Sequence, residues 1–213
     1  MINNLSASYL NFAIELLDKA CKENYYRDRE IMQGVEGEKE HAKVVLSWVE
    51  KLSKNPSIAL KISSLFHDID RVVTSGVGGG FKGDRNSKEY LEHKKAHAKR
   101  SANYICRRLL ENGVDSAMID RVGFLISHHD DTGIEVERLN DSELDVLVTA
   151  DSLAFFDTMA PKLYEAEGEL RLRDKVKFMV EKMPKPARKI MASIRLDNRV
   201  FERIKQKVLK ELK

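Results

Sequence analysis

The chain has 213 residues, 42% of them hydrophobic and 33% charged, which fits a globular protein with its own core rather than a disordered or fibrous chain. Its 37 basic and 34 acidic residues leave a formal net charge of +3, too small an excess to argue for a nucleic-acid or membrane partner. No apolar run reaches the roughly 18 residues of a membrane span, and no signal-peptide pattern opens the chain. Cys21 and Cys106 have neither CxxC nor ligand spacing, so a cytoplasmic protein with two reduced thiols is expected.

Helical periodicity dominates, and no strand alternation stands out. Leu5, Tyr9, Phe12, Ala13, Leu16, Leu17 and Ala20 form one apolar stripe, the mark of a first amphipathic helix. Residues 24–40 are polar and contain Gly34 and Gly37, which reads as mostly loop. His41, Val44, Val45, Trp48, Val49 and Leu52 then repeat at helical spacing, so His41 begins a buried face. Asn55-Pro56 ends that helix, and Ile58, Ala59, Ile62, Leu65 and Phe66 lead the next to His67-Asp68.

Residues 74–84 form a glycine-rich loop with a formal Gly78-x-Gly80-x-x-Gly83 match. A helix precedes it and no strand does, so it reads as a connector or lid rather than a dinucleotide fingerprint. A long helix follows from about Ser87 to a C-terminal Gly113, carrying His93, His97 and Arg100. Asp115 caps a helix whose Ile119, Val122, Leu125 and Ile126 lead to His128-His129. A polar turn follows, and Asn140 with Glu143 resembles a capping box for a helix that carries Asp151. Two or three amphipathic helices beyond Pro161 finish the chain, with a break at Pro184 and Pro186. One all-α domain spanning 1–213 is expected.

The chemistry-bearing residues are spaced by about one helix and one loop: His41, His67-Asp68, His97, His128 and Asp151. Each can stand on a different helix and converge inside the bundle, as metal ligands do in helical proteins. Five of the six histidines belong to this series once His129 is counted. Asp151 lies in an otherwise apolar stretch, where an ionised carboxylate costs several kcal/mol unless a cation or donors compensate it. His93 reads as a surface residue or a support for a ligand, and His129 as a substrate contact, a support for a ligand or, as a lesser alternative, a ligand itself.

The order His…His-Asp…Asp resembles the HD superfamily of metal-dependent phosphohydrolases, over about residues 38–157, leaving a helical extension at about 162–213. His67-Asp68-Ile69-Asp70-Arg71 is similar to its HD-Ile-Gly-Lys motif, with Asp70 for glycine and Arg71 for lysine. Ile126-Ser127-His128-His129-Asp130 is similar to the paired-histidine segment of HD-GYP phosphodiesterases, although the Gly-Tyr-Pro element is absent.

The resemblance implies a single-domain helical bundle in which His41, His67, Asp68 and Asp151 hold one divalent metal. His97 and His128 would add a second, so one or two ions per chain are expected. His and Asp donors suit Mn, Fe, Co, Ni, Zn or Mg. The implied function is hydrolysis of a small phosphoester, in all expectation a nucleotide, by attack of a metal-held hydroxide, with His67, Asp68 and Arg71 as catalytic residues. Arg100, His129, Lys82 and Arg85 are the expected substrate contacts, whereas Lys94 and Lys95 read as a solvated helix face. Alternatives are a di-iron oxygenase of HD type and a metal-dependent nucleotide sensor without turnover. A homodimer through the outer faces of the first and last helices is compatible with the pattern.

Overall fold

A computed structural model of the chain describes residues 2–31, 33–75, 81, 83–84 and 87–212. Its elements are α1 (Ile2–Glu23), a 3-10 turn (Tyr25–Glu30), α2 (Gly34–Leu52), α3 (Ile58–Phe66), α4 (Asp70–Val73) and α5 (Lys88–Glu111). They continue with α6 (Ser116–His128), α7 (Gly133–Leu139), α8 (Ser142–Thr158), α9 (Ala160–Lys182), α10 (Lys185–Ser193) and α11 (Arg199–Glu211). No strand occurs among the described residues, and no helix there is long and apolar enough to cross a membrane. Both cysteines are free thiols.

Helix starts follow local chemistry. The side chains of Ser57, Ser87 and Asp115 accept from the backbone N–H of Leu60, Tyr90 and Met118, which satisfies orphan donors of α3, α5 and α6. Gly113, at φ +70, follows the last turn of α5, as its position in the sequence predicts. The capping box lies elsewhere than expected: Thr132 and Glu135 form it at the start of α7. Asn140 instead closes α7 in the left-handed region, and Asp141 caps α8. The polar turn after His129 thus contains a short helix.

Residues 24–40 also differ from the expected loop. A 3-10 turn fills the first part, and α2 begins at Gly34, whose φ of +77 lets the chain turn into the helix. Val35, Glu38, Ala42, Val45 and Val49 then share its buried face with His41. In the turn, buried Arg27 donates to the carbonyl oxygens of Val72 and Thr74 and ties this segment to the end of α4.

Apolar burial falls into two clusters. One gathers α8, α9, α10 and α11; the other gathers α1, α5 and the apolar faces next to them. Helices α2, α3 and α6 contribute to both, and they carry His41, His67 and, just beyond the end of α6, His129. Helix α8 is buried on every side around Asp151, from Leu147 through Phe156, and packs on α2, α3, α6, α9 and α10. Burying one such Leu or Phe contributes about 1.5–3 kcal/mol, so the scaffold can carry polar groups inside. Gly133 permits one close approach, because a Cβ there would meet the backbone carbonyl oxygens of Glu181 and Met183.

Candidate metal centre

Four imidazoles converge from four parts of the chain. Ring centroids are 5.4 Å apart for His41 and His67, 5.1 Å for His67 and His129, and 6.2 Å for His97 and His129. In every case Nδ1 is engaged outside the cluster. His67 donates from Nδ1 to the Ser64 carbonyl at 2.9 Å, and His129 to the Ile126 carbonyl at 2.7 Å. The Thr158 hydroxyl spends its proton on the Ala154 carbonyl, so it accepts from His41 Nδ1 at 2.8 Å. His97 Nδ1 donates to Asp70 Oδ2 at 3.0 Å, a carboxylate that Arg100 also grips through Nε and Nη2.

With Nδ1 donating outward, Nε2 is the atom that each ring presents to the cluster. His67 Nε2 and His129 Nε2 are buried and make no hydrogen bond with any described residue. Bare nitrogens facing carboxylates would repel unless a proton or a cation lies between them. The donor set therefore fits a metal ion, and the ligating atoms form two groups, each within 4.8 Å: His41, His67 and Asp151; Asp68, His97, His129 and Asp130.

Asp68 joins the groups. Its Oδ1 lies 2.6 Å from His97 Nε2 and 3.4 Å from His129 Nε2, while its Oδ2 lies 3.8 Å from His67 Nε2. The His67-Asp68 step falls between α3 and α4, where the chain leaves helical register and two successive side chains can reach one region. Arg71, one turn on, pairs with Asp68 Oδ2 at 2.9 Å and lies 3.5 Å from Glu38. Glu38 is 6% exposed, lines a small cavity with His67 and Asp68, and leaves Oε2 without a hydrogen bond.

His128 does not join the cluster. It is 35% exposed, bonds Asp131 Oδ2 through Nδ1 at 2.6 Å and stacks near Phe124. His129 takes the inward position because it lies seven residues after Val122 and three after Ile126, on the stripe that α6 buries. His93 is partly exposed and packs against Phe81. The guanidinium of Arg100 is taken up by Asp70, so Arg100 braces His97. Lys82 and Arg85, expected to contact substrate, and Gly78 and Gly80 lie outside the described residues.

Three buried charges were not expected. Asp130 is held by the ammonium groups of Lys94 and Lys182, the latter at 3.1 Å, and Lys182 also reaches Asp151 Oδ2. Lys94 lies on the buried face of α5, one turn before His97, so it is not a solvated residue; Lys95 is partly exposed and pairs with Glu135 at 2.6 Å. Lys182 ends α9 and is 3% exposed. The signal for Lys94 is its apolar register with His97, Ala98, Ser101 and Ile105.

Burial by itself raises a carboxyl pKa, but here charge outweighs it. Arg71, His67 and His97 hold Asp68 well below the usual carboxylate range. Lys94 and Lys182 do the same for Asp130, and Lys182 with His41 and His67 for Asp151. Burial disfavours the charged form of His129, yet Asp130 and Asp68 push its pKa up to about 9. The buried carboxylates are thus ionised, and the imidazole nitrogens face them where a cation, proton or metal, compensates their charge.

Fold and cluster together define an all-α domain with a buried His/Asp centre able to hold metal. The chain belongs to the family described as Domain of unknown function (DUF4202), whose pattern matches residues 11–204. No curated protein and no solved structure gave a match.

Proposed function

We propose that the protein is a metal-dependent phosphohydrolase of the HD type acting on a small phosphoester, with a nucleotide as the leading substrate. The observation that carries the reading is the convergence of four Nε2 atoms and three carboxylates in two groups, with Asp68 of one group reaching to 3.8 Å from His67 of the other. His41, His67 and Asp151 would hold one divalent ion, with Asp68 offering Oδ2; Asp68, His97, His129 and Asp130 would hold a second. Manganese, iron, cobalt, nickel, zinc and magnesium all suit such donors, the nitrogen-rich set favouring the transition metals. A bound divalent ion supplies a Lewis acid that lowers the pKa of water and polarises a phosphoryl oxygen.

The chain's own groups complete the chemistry. Hydrolysis forms a bond from water oxygen to phosphorus and breaks the bond from phosphorus to the leaving oxygen. Asp68, ionised and steadied by Arg71, accepts a hydrogen bond from the water and orients it; the water's proton passes to solvent, and the leaving oxygen takes one from solvent. Asp70 and Arg100 keep His97 in one tautomer, and Thr158 does so for His41.

Charge supports an anionic substrate. Five carboxylates (Glu38, Asp68, Asp70, Asp130, Asp151) pair with four cations (Arg71, Lys94, Arg100, Lys182), so one divalent ion turns the centre from net negative to net positive, and Lys175 adds to that when protonated. A site of low dielectric in that state favours an anion strongly.

The test is phosphorus NMR of a nucleotide pool incubated with the manganese-loaded protein, with Asp68→Ala as control. New phosphate or monoester signals that disappear in the variant are expected. A pool left intact by fully loaded protein would sink the hydrolase reading.

A further inference from the structure

Helix α9 presents Lys175, Phe178, Met179 and Lys182 at i, i+3, i+4 and i+7, one face pointing at the centre. Lys182 at the end of that face is consumed by Asp130 and Asp151. Lys175, two turns earlier, is not: its ammonium makes no hydrogen bond or ion pair with any described residue. It is half-buried, 4.7 Å from the centroid of the Phe178 ring and 5.9 Å from that of Phe155. Phe155 stands one turn after Asp151 on α8, so the ammonium lies beside the centre, where Lys94, Lys182 and Arg71 repel it and Asp130 attracts it.

The other cations there have partners. Arg71 is on Asp68 and Glu38, Lys94 on Asp130, Arg100 on Asp70, and Lys182 on two carboxylates. The faces of two aromatic rings attract the Lys175 ammonium, but three like charges oppose it and no carboxylate among the described residues pairs with it in the ligand-free protein. Burial and repulsion from Lys94 and Lys182 press its pKa down to about 7. An arriving anion reverses that cost.

We propose that Lys175 is the residue that grips the phosphoryl oxygens of the substrate, making α9 part of the binding site, an inference that rests on the phosphohydrolase reading. The position is one that a resemblance confined to residues 38–157 does not reach. The rings of Phe155 and Phe178 lie against the ammonium itself, which fixes its position before the anion arrives.

The experiment titrates inorganic phosphate calorimetrically into the manganese-loaded full chain, freed of excess metal, for wild type, Lys175→Met and Lys175→Arg. Methionine keeps the apolar stem and removes the charge, whereas arginine keeps the charge. Wild type should bind phosphate, Lys175→Met about tenfold or more weakly, and Lys175→Arg within a few-fold of wild type. All three should retain the same manganese content.

Equal phosphate affinity in wild type and Lys175→Met overturns the proposal, as does loss of manganese from that variant or the absence of phosphate binding by wild type. Turnover is scored separately. Phosphate held through Lys175 without hydrolysis of any ester would end the hydrolase reading and leave the anion site standing. Hydrolysis with unchanged phosphate affinity in Lys175→Met would end only the Lys175 proposal.

Discussion

Replacing Lys182 by methionine removes the only ammonium that touches both Asp130 and Asp151 among the described residues, while keeping the length of the side chain. Lys182 is 3% exposed, and its pKa is raised because the attraction of the two carboxylates overcomes burial. Truncating one partner of a buried ion pair costs about 3–5 kcal/mol, since the remaining charge is left without compensation. Lys94 still serves Asp130, and His41 and His67 still face Asp151, which places the expected loss within that range rather than above it. For a chain of this size it corresponds to a fall in melting temperature of roughly 6–20 °C.

Scanning calorimetry of metal-free protein measures the fall directly. Adding manganese should then restore more stability to Lys182→Met than to wild type, because the ion takes over a compensating role that Lys182 already fills in the native sequence. A metal-free variant melting within about 2 °C of wild type would refute the argument that Lys182 compensates these carboxylates.

Other outcomes follow from the same geometry. His129→Ala should lose bound manganese measured by elemental analysis, whereas His128→Ala should retain it; the reverse pattern would reassign the inward histidine. Asp70→Asn, which loosens His97, should weaken metal affinity about 10–100-fold in a competition titration with a chelating dye, as loss of a supporting carboxylate does elsewhere. The same variant reports on acid stability. His97 and Arg100 outweigh burial and depress the Asp70 pKa from 3.8 to about 2, so its contribution is present above pH 3.8 and is lost as pH falls toward 2. The wild-type loss of stability between those values should therefore be shallower in Asp70→Asn. Gly133→Ala forces a methyl group onto the backbone that precedes and follows Lys182, and should cost about 1–3 kcal/mol in chemical denaturation.

Most of the helical layout was legible in the sequence because apolar residues recur at helical spacing and the caps are chemically ordinary. Gly113 and Asp115 act where their residue types suggest. The start of α2 was hidden because Gly34 and Gly37 resemble loop residues, although Gly34 serves to turn the chain into the helix. In the centre, His41, His67, Asp68, His97 and Asp151 were readable from spacing and from an acid set among apolar neighbours. The choice between His128 and His129 was also readable, from Val122 and Ile126, but required following the stripe one residue beyond the obvious pair.

Lys94, Asp130 and Lys182 were obscure for a different reason. A charged residue in a sequence reads as solvated, and what makes burial tolerable is a partner that may be 31 to 52 positions away, as Lys182 is from Asp151 and Asp130. Only packing brings such charges together. Arg100 was expected to contact substrate, and its geometry commits its guanidinium to Asp70.

The bridging lysine has a consequence for synthesis. A chain leaves the ribosome N-terminus first, and domains tend to fold in that order. All seven candidate ligands precede Lys182 in the chain, so any closure around Asp130 and Asp151 before α9 is made would lack the ammonium that joins them in the finished fold. During that interval a divalent ion is the natural substitute, because a cation that binds only the structured form stabilises it. Metal supply would then govern how early the nascent chain closes, and translation of α9 would mark the moment at which closure no longer depends on it.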